Sequence, residues 1–435
     1  MIHRGRILST FTIVVIGGVI ALLAAPALAI GTLPDSSVDI VRGKVFSLVE
    51  TSDHSTIYIG GKFSRVSDQA VSHPSLYSTA SITRFNESTG VGDPTWTPQV
   101  WTANQADYGT INGMALSPDG STLFVVGKFA LACPSPLGSA CETRKNLAAF
   151  NTTTGALLPL SESIGNSVNT ILLGTSGNAV TRIYIGGPFK LLNGKPAGGL
   201  AAINYPDGTV DTSWNPVANN TVRTLVYASG SQSIFVGGSF TSITQGSTTY
   251  PRQSVARLDL DGTVNDWSIP GGVLPTPMTA WSLSPSSDGT TLYGGFGAGP
   301  NFAAAFRLDD GAVGDQVWRR STPGNVEGTA LAPDGLHLFI SGHFGTAHKT
   351  KEACPGVSVH GLAELSLSNG KYADCWAPHM LPDQGNFTGG WTLLANSKYL
   401  WVGGSFDQIC TPDGLTCVPP GAPGTTNMNV ARFTL

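Results

Sequence analysis

The sequence predicts an all-β protein in which one four-stranded unit is repeated seven times. Three observations support this fold class. An apolar segment of the type IFVGGSF (residues 234–240) recurs seven times along the chain. A glycine turn follows six of the seven copies at a similar place, and Gly, Ser, Thr and β-branched residues are frequent while helix-forming runs are few. Self-similarity at such a period is typical of a repeat architecture.

The recurring segment is interpreted as the second strand of each unit. A strand that is apolar at every position is buried on both faces, so each copy is expected to lie between two neighbouring units. The glycine pair would let another backbone approach closely or let the strand bend. The aromatic residue that ends the segment would fill the space between units. These residues, spaced by 48 to 66 positions, are Phe63, Phe129, Phe189, Phe240, Phe344 and Phe406, with Phe296 in a divergent copy (LYGGFG).

The other strands of the unit follow from the turns. A first strand such as VRTLVYA (222–228) precedes the segment, and a third strand such as SVARLDL (254–260) follows a variable loop. Asp-Gly and Asn-Gly turns supply the positive φ of a tight hairpin. They join the first strand to the second and the third strand to the fourth. The fourth strand contains a tryptophan that is expected to pack between units near the rim, with a stacked-aromatic ligand site as the alternative. These tryptophans are Trp96, Trp214, Trp267, Trp318 and Trp376.

Seven four-stranded antiparallel units around one axis make a seven-bladed β-propeller. The seventh unit has no fourth strand of its own, because its third strand (NVARFTL) runs to Leu435. At the other end, SVDIV (37–41) precedes the first complete unit and has no partner. We therefore predict that this N-terminal strand completes the last blade and closes the ring, which removes the exposed sheet edges.

The repeats resemble the delta-60 repeat family of secreted and surface bacterial β-propellers. The resemblance rests on the VGGSF-type strands, on VARLDLDG (255–262) and on DGTVDTSWNP (207–216), and it covers nearly all of the chain after residue 29. It implies a propeller and an exported location. Because the family has no general assigned chemistry, it carries over no catalytic residue.

The N-terminus indicates export. Arg4 and Arg6, an apolar run and the small-residue motif Ala27-Leu28-Ala29 are typical of a signal peptide, so we predict a cleaved segment 1–29 and a single propeller domain 30–435. An uncleaved membrane anchor is the alternative.

Only 12% of the residues are charged, and the net charge of −4 becomes about −6 after cleavage. A mildly acidic chain without a basic run argues against a nucleic-acid partner. No membrane partner is expected after cleavage.

Six cysteines in an exported chain suggest disulfides. Cys133 and Cys410 each follow the phenylalanine of a repeat by four residues, and their nearest partners are Cys141 and Cys417. Cys354 and Cys375 then form the third predicted pair. The alternative is a metal site that combines Cys354 and Cys375 with nearby histidines, although the spacing matches no standard zinc pattern. These histidines are His343, His348, His360 and His379. No metal or cofactor is expected.

In a unit of four antiparallel strands, the loop between strands two and three lies on the same side as the link to the next unit. The long, variable loops are therefore expected on one face, where recognition usually occurs. Trp101, Tyr108 and Tyr250 are candidate ligand-contacting residues on this face. No acidic pair of the kind a glycosidase requires stands out in the long loops, so no catalytic residue is assigned. The sequence favours an exported, non-catalytic module that binds a protein or glycan, secreted or retained at the cell surface. A secreted polysaccharide-active hydrolase or lyase with a site on the same face is the alternative.

Overall fold

The computed structural model describes residues 30–34, 36–41, 43–68, 75–135, 139–308, 313–344, 359–381, 389–418 and 428–435. The predicted signal peptide 1–29 lies outside them. Within these ranges the chain forms β-strands and one short 3₁₀ helix, Ser229–Ser231. The described residues contain no helix of the length and apolarity needed to span a membrane.

Seven sheets, here called repeat sheets 1 to 7 in chain order, share a core of three antiparallel strands in which the second strand lies between the first and the third. The first strands are Lys44–Glu50, Thr110–Leu116, Thr170–Ser176, Val222–Ala228, Thr279–Pro285, Val326–Leu331 and Gly389–Ala395. The second strands are Thr56–Lys62, Thr122–Lys128, Ala179–Gly186, Ser233–Gly238, Thr291–Gly297, His337–Gly342 and Tyr399–Ser405. The third strands are Ile82–Asn86, Leu147–Asn151, Leu200–Asn204, Val255–Asp259, Phe302–Arg307, Leu362–Ser366 and Asn429–Thr434.

A fourth strand is present in only two of these sheets within the described residues. Gln316–Ser321 is the fourth strand of repeat sheet 5, and Ser36–Val41 pairs with the third strand of repeat sheet 7. The prediction of four-stranded units is wrong for the other five sheets. There the segment after the third strand makes a single bridge, as between Ile203 and Val210. The strand ends because the Asp211 carboxylate accepts a hydrogen bond from the backbone N–H of Ser213, an Asx turn that redirects the chain.

The remaining strands form small sheets beside the repeat sheets. In several of them a hairpin from the long loop of a unit pairs with the strand that leads into that unit. Ser36–Val41 takes part in this pattern too, because it pairs with Arg65–Asp68 on its second side. The other strands of this kind are Ser75–Ser78, Gln99–Trp101, Leu131–Cys133, Glu142–Thr143, Leu191–Leu192, Lys195–Pro196, Val217–Ala218, Ser242–Gln245, Thr248–Pro251, His379–Leu381, Gln408–Cys410 and Cys417–Val418.

Neighbouring repeat sheets pack against each other through apolar second strands. The first strand of each repeat sheet contacts the first strand of the next, and the first strand of sheet 7 contacts that of sheet 1. Nearly every residue of the second strands is buried, as the uninterrupted apolar pattern predicted. The seven phenylalanines that follow or end these strands are all buried, with at most 5% of their surface exposed.

The two glycines of the repeated motif have different roles. A Cβ on the first glycine would meet the next sheet: on Gly60 it would lie 2.8 Å from Ile111 Cγ2. A Cβ on the second glycine would meet the first strand of its own sheet: on Gly61 it would lie 1.9 Å from the carbonyl oxygen of Lys44. The close backbone approach that the sequence suggested therefore occurs within one sheet, at the place where the first strand bulges.

The recurring tryptophans are buried between sheets. The indole N–H of Trp318 donates a hydrogen bond of 2.7 Å to the carbonyl of Leu367 in the following unit, and Trp267 bonds in the same way to Arg307 at 3.0 Å. Trp376 bonds to the carbonyl of Gly31 at 2.8 Å. Each of the five tryptophans also packs against an aromatic ring of a second strand. These rings are Tyr58, Tyr184, Phe235, Tyr293 and Phe339. The packing interpretation therefore accounts for the tryptophans.

Replacing Trp318 with Phe is expected to cost more stability than the same change at Trp214. Trp318→Phe removes the hydrogen bond to the carbonyl of the half-buried Leu367, a bond worth about 0.5–1.5 kcal/mol. The indole nitrogen of Trp214 is buried without a hydrogen-bond partner among the described residues, so Trp214→Phe removes no such bond. Urea unfolding of the two variants measures the difference. Equal losses would show that the hydrogen bond contributes nothing beyond ring packing.

Candidate functional site

The first strands carry an irregularity near their start that recurs from sheet to sheet. In six of the seven repeat sheets the pairing with the second strand skips one residue opposite the end of the apolar segment, which is a β-bulge. Two glycines stand opposite the bulge in sheets 1, 4 and 7, and one glycine in sheets 2, 5 and 6. The skipped residues are Phe46, Asn112, Arg223, Trp281, Glu327 and Trp391. Repeat sheet 3 differs, and there Asn169 directly precedes the first strand. The glycines opposite leave room for the bulged backbone, so the repeated motif also sets the position of these six bulge residues.

These seven residues, one from each repeat sheet, line a single cavity of about 310 Å³, here called the central cavity. They stand near the start of the first strands, opposite the end of the second strands. The second strands continue from that end into the long loops. The central cavity therefore lies at the long-loop end of the sheets, on the side where the sequence predicted recognition.

Aromatic rings form part of the cavity lining. The rings of Phe46 and Trp391 stack with their centroids 4.9 Å apart, and the ammonium group of Lys44 lies 5.3 Å from the Trp391 ring centroid. On another part of the lining the guanidinium of Arg223 lies 4.5 Å from the centroid of the Trp281 ring. Cations over aromatic faces are held by the ring quadrupole. The lining thus offers flat apolar surfaces beside positive charge.

The two asparagines are fixed by bonds that also join neighbouring sheets. Asn112 Nδ2 donates to the carbonyl of Val168 at 2.9 Å, and Asn169 Nδ2 donates to the carbonyl of Val222 at 2.8 Å. Because their amide N–H groups bond to backbone, the side chains are held in one orientation. Their amide oxygens remain as hydrogen-bond acceptors.

Three polar atoms of the lining are buried without a hydrogen-bond partner among the described residues. They are Nε of Arg223, Nε1 of Trp281 and Oε2 of Glu327. A buried donor or acceptor without a partner costs about 1–3 kcal/mol, so three on one cavity are a notable concentration. Two of these atoms are donors and one is an acceptor. A bound molecule with complementary groups would satisfy all three.

The environment also changes the acidity of the cavity's charged groups. Burial raises the pKa of Glu327 to about 7, although the side chain of Asn325, the charge of Arg223 and the indole of Trp391 favour the ionised form. The carboxyl group is therefore partly protonated at neutral pH and can donate as well as accept a hydrogen bond. Burial lowers the pKa of Arg223, against the opposing effect of Glu327, but a guanidinium stays charged.

The three candidate ligand-contacting residues from the sequence do not line the central cavity. The rings of Trp101 and Tyr108 pack together at 4.9 Å, and Tyr250 lies in a loop hairpin with its ring 5.6 Å from the guanidinium of Arg252. Their role in binding stays a prediction.

The sequence reasoning missed the bulge residues, because they differ in type from repeat to repeat. Aligning the first strands on the glycine pair of the second strands would have placed them at one position.

Two of the three predicted disulfides are present, Cys133–Cys141 and Cys410–Cys417. Cys375 is also disulfide-bonded, and its predicted partner Cys354 lies outside the described residues.

The alternative metal site falls partly outside the described residues, since they include neither His348 nor Cys354. His360 and His379 have ring centroids 4.2 Å apart, and burial lowers the pKa of His343 to about 4. With Cys375 held in a disulfide, that residue offers no thiolate to an ion. The observations on the described residues therefore favour the disulfide interpretation.

A second group of potential ligands, not anticipated from the sequence, lies where repeat sheets 1 and 7 meet. Side-chain donor atoms of Glu50, His54 and Glu87 lie within 4.8 Å of one another. Asn396 of sheet 7 donates to both carboxylates, at 2.7 Å to Glu50 and 2.6 Å to Glu87, and Trp401 donates to Glu87 at 3.0 Å. These bonds tie the first unit to the last, which gives the cluster a structural role.

Comparison with known proteins supports the fold class. The chain is similar to the WD40 β-propeller domain of Doa1, with a TM-score of 0.50 and 11% identity over 93% of this chain and 96% of that one. It is also similar to the β-propeller domain of Myceliophteria thermophila Cps50 (Swd1), with a TM-score of 0.50 and 9% identity over 91% of this chain and 98% of that one. No protein-family model and no curated protein matches the sequence. At these identities the likeness shows the fold alone, an all-β β-propeller.

Proposed function

We propose that the protein is an exported, non-catalytic binding module that holds its ligand in the central cavity. The observation that carries this proposal is the convergence of three buried, unpartnered polar atoms with three aromatic rings in one cavity. Binding sites for small molecules are concave, mostly apolar and equipped with a few placed polar groups. The central cavity is concave and combines aromatic walls with placed polar groups, and it is more polar than most such sites, since four of its seven lining residues are polar or charged.

The proposal includes a ring of seven blades closed by the N-terminal strand. Contacts between successive first strands, including that between sheets 7 and 1, support the ring. The antiparallel pairing of Ser36–Val41 with Asn429–Thr434 supports the closure. The resemblance to delta-60 repeats and the signal-peptide pattern at 1–29 support export, with a protein or glycan at the cell surface as the partner.

Binding is favoured over hydrolysis by the composition of the cavity. Glycoside hydrolysis generally uses two carboxyl groups at a controlled separation. Glu327 is the single carboxyl group among the described residues that line the central cavity. Its raised pKa suits it to hydrogen bonding in either direction, whereas a partner for acid–base catalysis is missing from this lining.

Purified protein of residues 30–435, applied to an array of neutral and acidic oligosaccharides, tests the proposal. We expect binding that weakens at least tenfold in Trp391→Ala, because the stacking surface beside Phe46 is lost. Leu336→Ala, an exposed residue in a hairpin turn at the other end of the sheets, is the matched control and should bind as the parent does.

Two results would contradict the proposal. Binding that depends on Trp101 or Tyr250 but not on Trp391 would place the site on the outer loops instead of the central cavity. Turnover of a bound oligosaccharide, measured as release of reducing sugar, would make the protein an enzyme.

A further inference from the structure

We infer that the ligand of the central cavity is a saccharide residue that carries a carboxylate, an inference that rests on the proposed function. The charge of the cavity, the geometry of its donors and the character of its walls favour such a ligand. Each depends on side chains that line the cavity or pack directly on its lining.

The charge of the cavity favours an anion. Arg223 is half-buried, and among the described residues its guanidinium has no carboxylate within ion-pair distance; its close neighbour is the ring of Trp281. Lys44 adds a second positive charge above Trp391. The one carboxyl group of the lining, Glu327, is partly protonated. Glu327 acts on Arg223 from beyond ion-pair distance, so the guanidinium is only partly compensated, and an anionic ligand would offset the remaining cost of its partial burial.

The donor geometry favours a carboxylate. A guanidinium presents a planar fork of N–H groups that matches the two oxygens of a carboxylate or phosphate. The carboxyl group of Glu327 shares the cavity, and its charged form would repel a doubly charged phosphate more strongly than a singly charged carboxylate. Nε of Arg223 and Nε1 of Trp281, both without a partner, supply further donors to ligand oxygens.

The acceptors and walls favour a sugar ring. Oε2 of Glu327 and the amide oxygens of Asn112 and Asn169 need hydrogen-bond donors, which hydroxyl groups supply. The stacked Phe46–Trp391 pair offers an aromatic face to the C–H face of a ring. A volume of about 310 Å³ lies at the lower end of ligand pockets, which suits one terminal sugar residue better than a long chain segment.

The test is isothermal titration calorimetry with matched pairs of sugars. The probes are the methyl glycosides of glucuronic, galacturonic and mannuronic acid, each with its neutral hexose counterpart, and a tripeptide with a free C-terminal carboxylate. We expect at least one uronic acid to bind tenfold or more tightly than its neutral counterpart. Arg223→Gln should weaken binding of the uronic acid more than binding of its neutral counterpart and so remove this preference, and Arg223→Lys should retain part of it. Leu336→Ala should bind like the parent.

The outcomes separate the inference from the proposed function. Equal affinity for acidic and neutral sugars, or binding of the tripeptide alone, overturns the inference and leaves a binding module. Failure of all three uronic acids to bind at millimolar concentration also overturns it. Sugar binding that survives both Trp391→Ala and Arg223→Gln overturns the proposed cavity as well. Thermal unfolding of each variant checks folding.

Discussion

Deletion of residues 30–41 is expected to lower the melting temperature of the protein by about 10 °C or more. Ser36–Val41 is hydrogen-bonded on both sides, to Asn429–Thr434 and to Arg65–Asp68. Its Ile40 is fully buried, and loss of such a side chain alone costs about 2–5 kcal/mol. The deletion also removes the carbonyl acceptors at Gly31 and Ile40 for Trp376 and Asn429. Differential scanning calorimetry measures the shift.

The same deletion should make the protein prone to aggregation, because it exposes the backbone of Asn429–Thr434 as a free strand edge. A synthetic peptide of residues 30–41 provides the control, since adding it in excess should restore most of the lost stability by mass action. The surface variant Leu415→Ala, at a side chain that is 84% exposed, should melt with the parent. A deletion protein that melts within 2 °C of the parent would count against closure by this strand.

The fold was predictable because its main signals are local and repeated. Uninterrupted apolar strands such as IFVGG (234–238) indicate burial on both faces, and the structure buries them. The outer strands were less predictable. The Asx turn at Asp211 ends the fourth strand after one bridge, and short polar motifs of this kind compete with strand pairing in a way that composition does not reveal.

The candidate site was less predictable than the fold for a different reason. Its residues come from seven separate units and share a structural position without sharing a residue type, as the contrast of Phe46, Asn112 and Arg223 shows. The position itself depends on a register shift opposite a glycine of the repeated motif. Register is a property of two strands together, so a motif search along one strand could not detect it. The predicted loop aromatics, such as Trp101 and Tyr108, instead pack on each other.

Substitution of Gly127 by Ala is expected to destabilise the protein by about 3 kcal/mol, near the upper end for overpacking. A Cβ at this position would lie 1.8 Å from the carbonyl oxygen of Thr110 and 2.9 Å from Cα of Ile111, both in the first strand of the same sheet. Backbone atoms cannot move aside as a flexible side chain can. The bulge at Asn112 would have to shift, and Asn112 lines the central cavity. The urea concentration at the midpoint of unfolding should therefore fall, and the ligand affinity should change.

Gly271→Ala is the matched control for this prediction. No heavy atom lies within 4 Å of a Cβ built at Gly271, and its φ is outside the left-handed region. The change should be neutral or slightly stabilising, because alanine restricts the unfolded chain more than glycine does. If Gly127→Ala and Gly271→Ala unfold at the same urea concentration, the glycine of the repeated motif is not required for the bulge. The physical link drawn here between the motif and the central cavity would then fail.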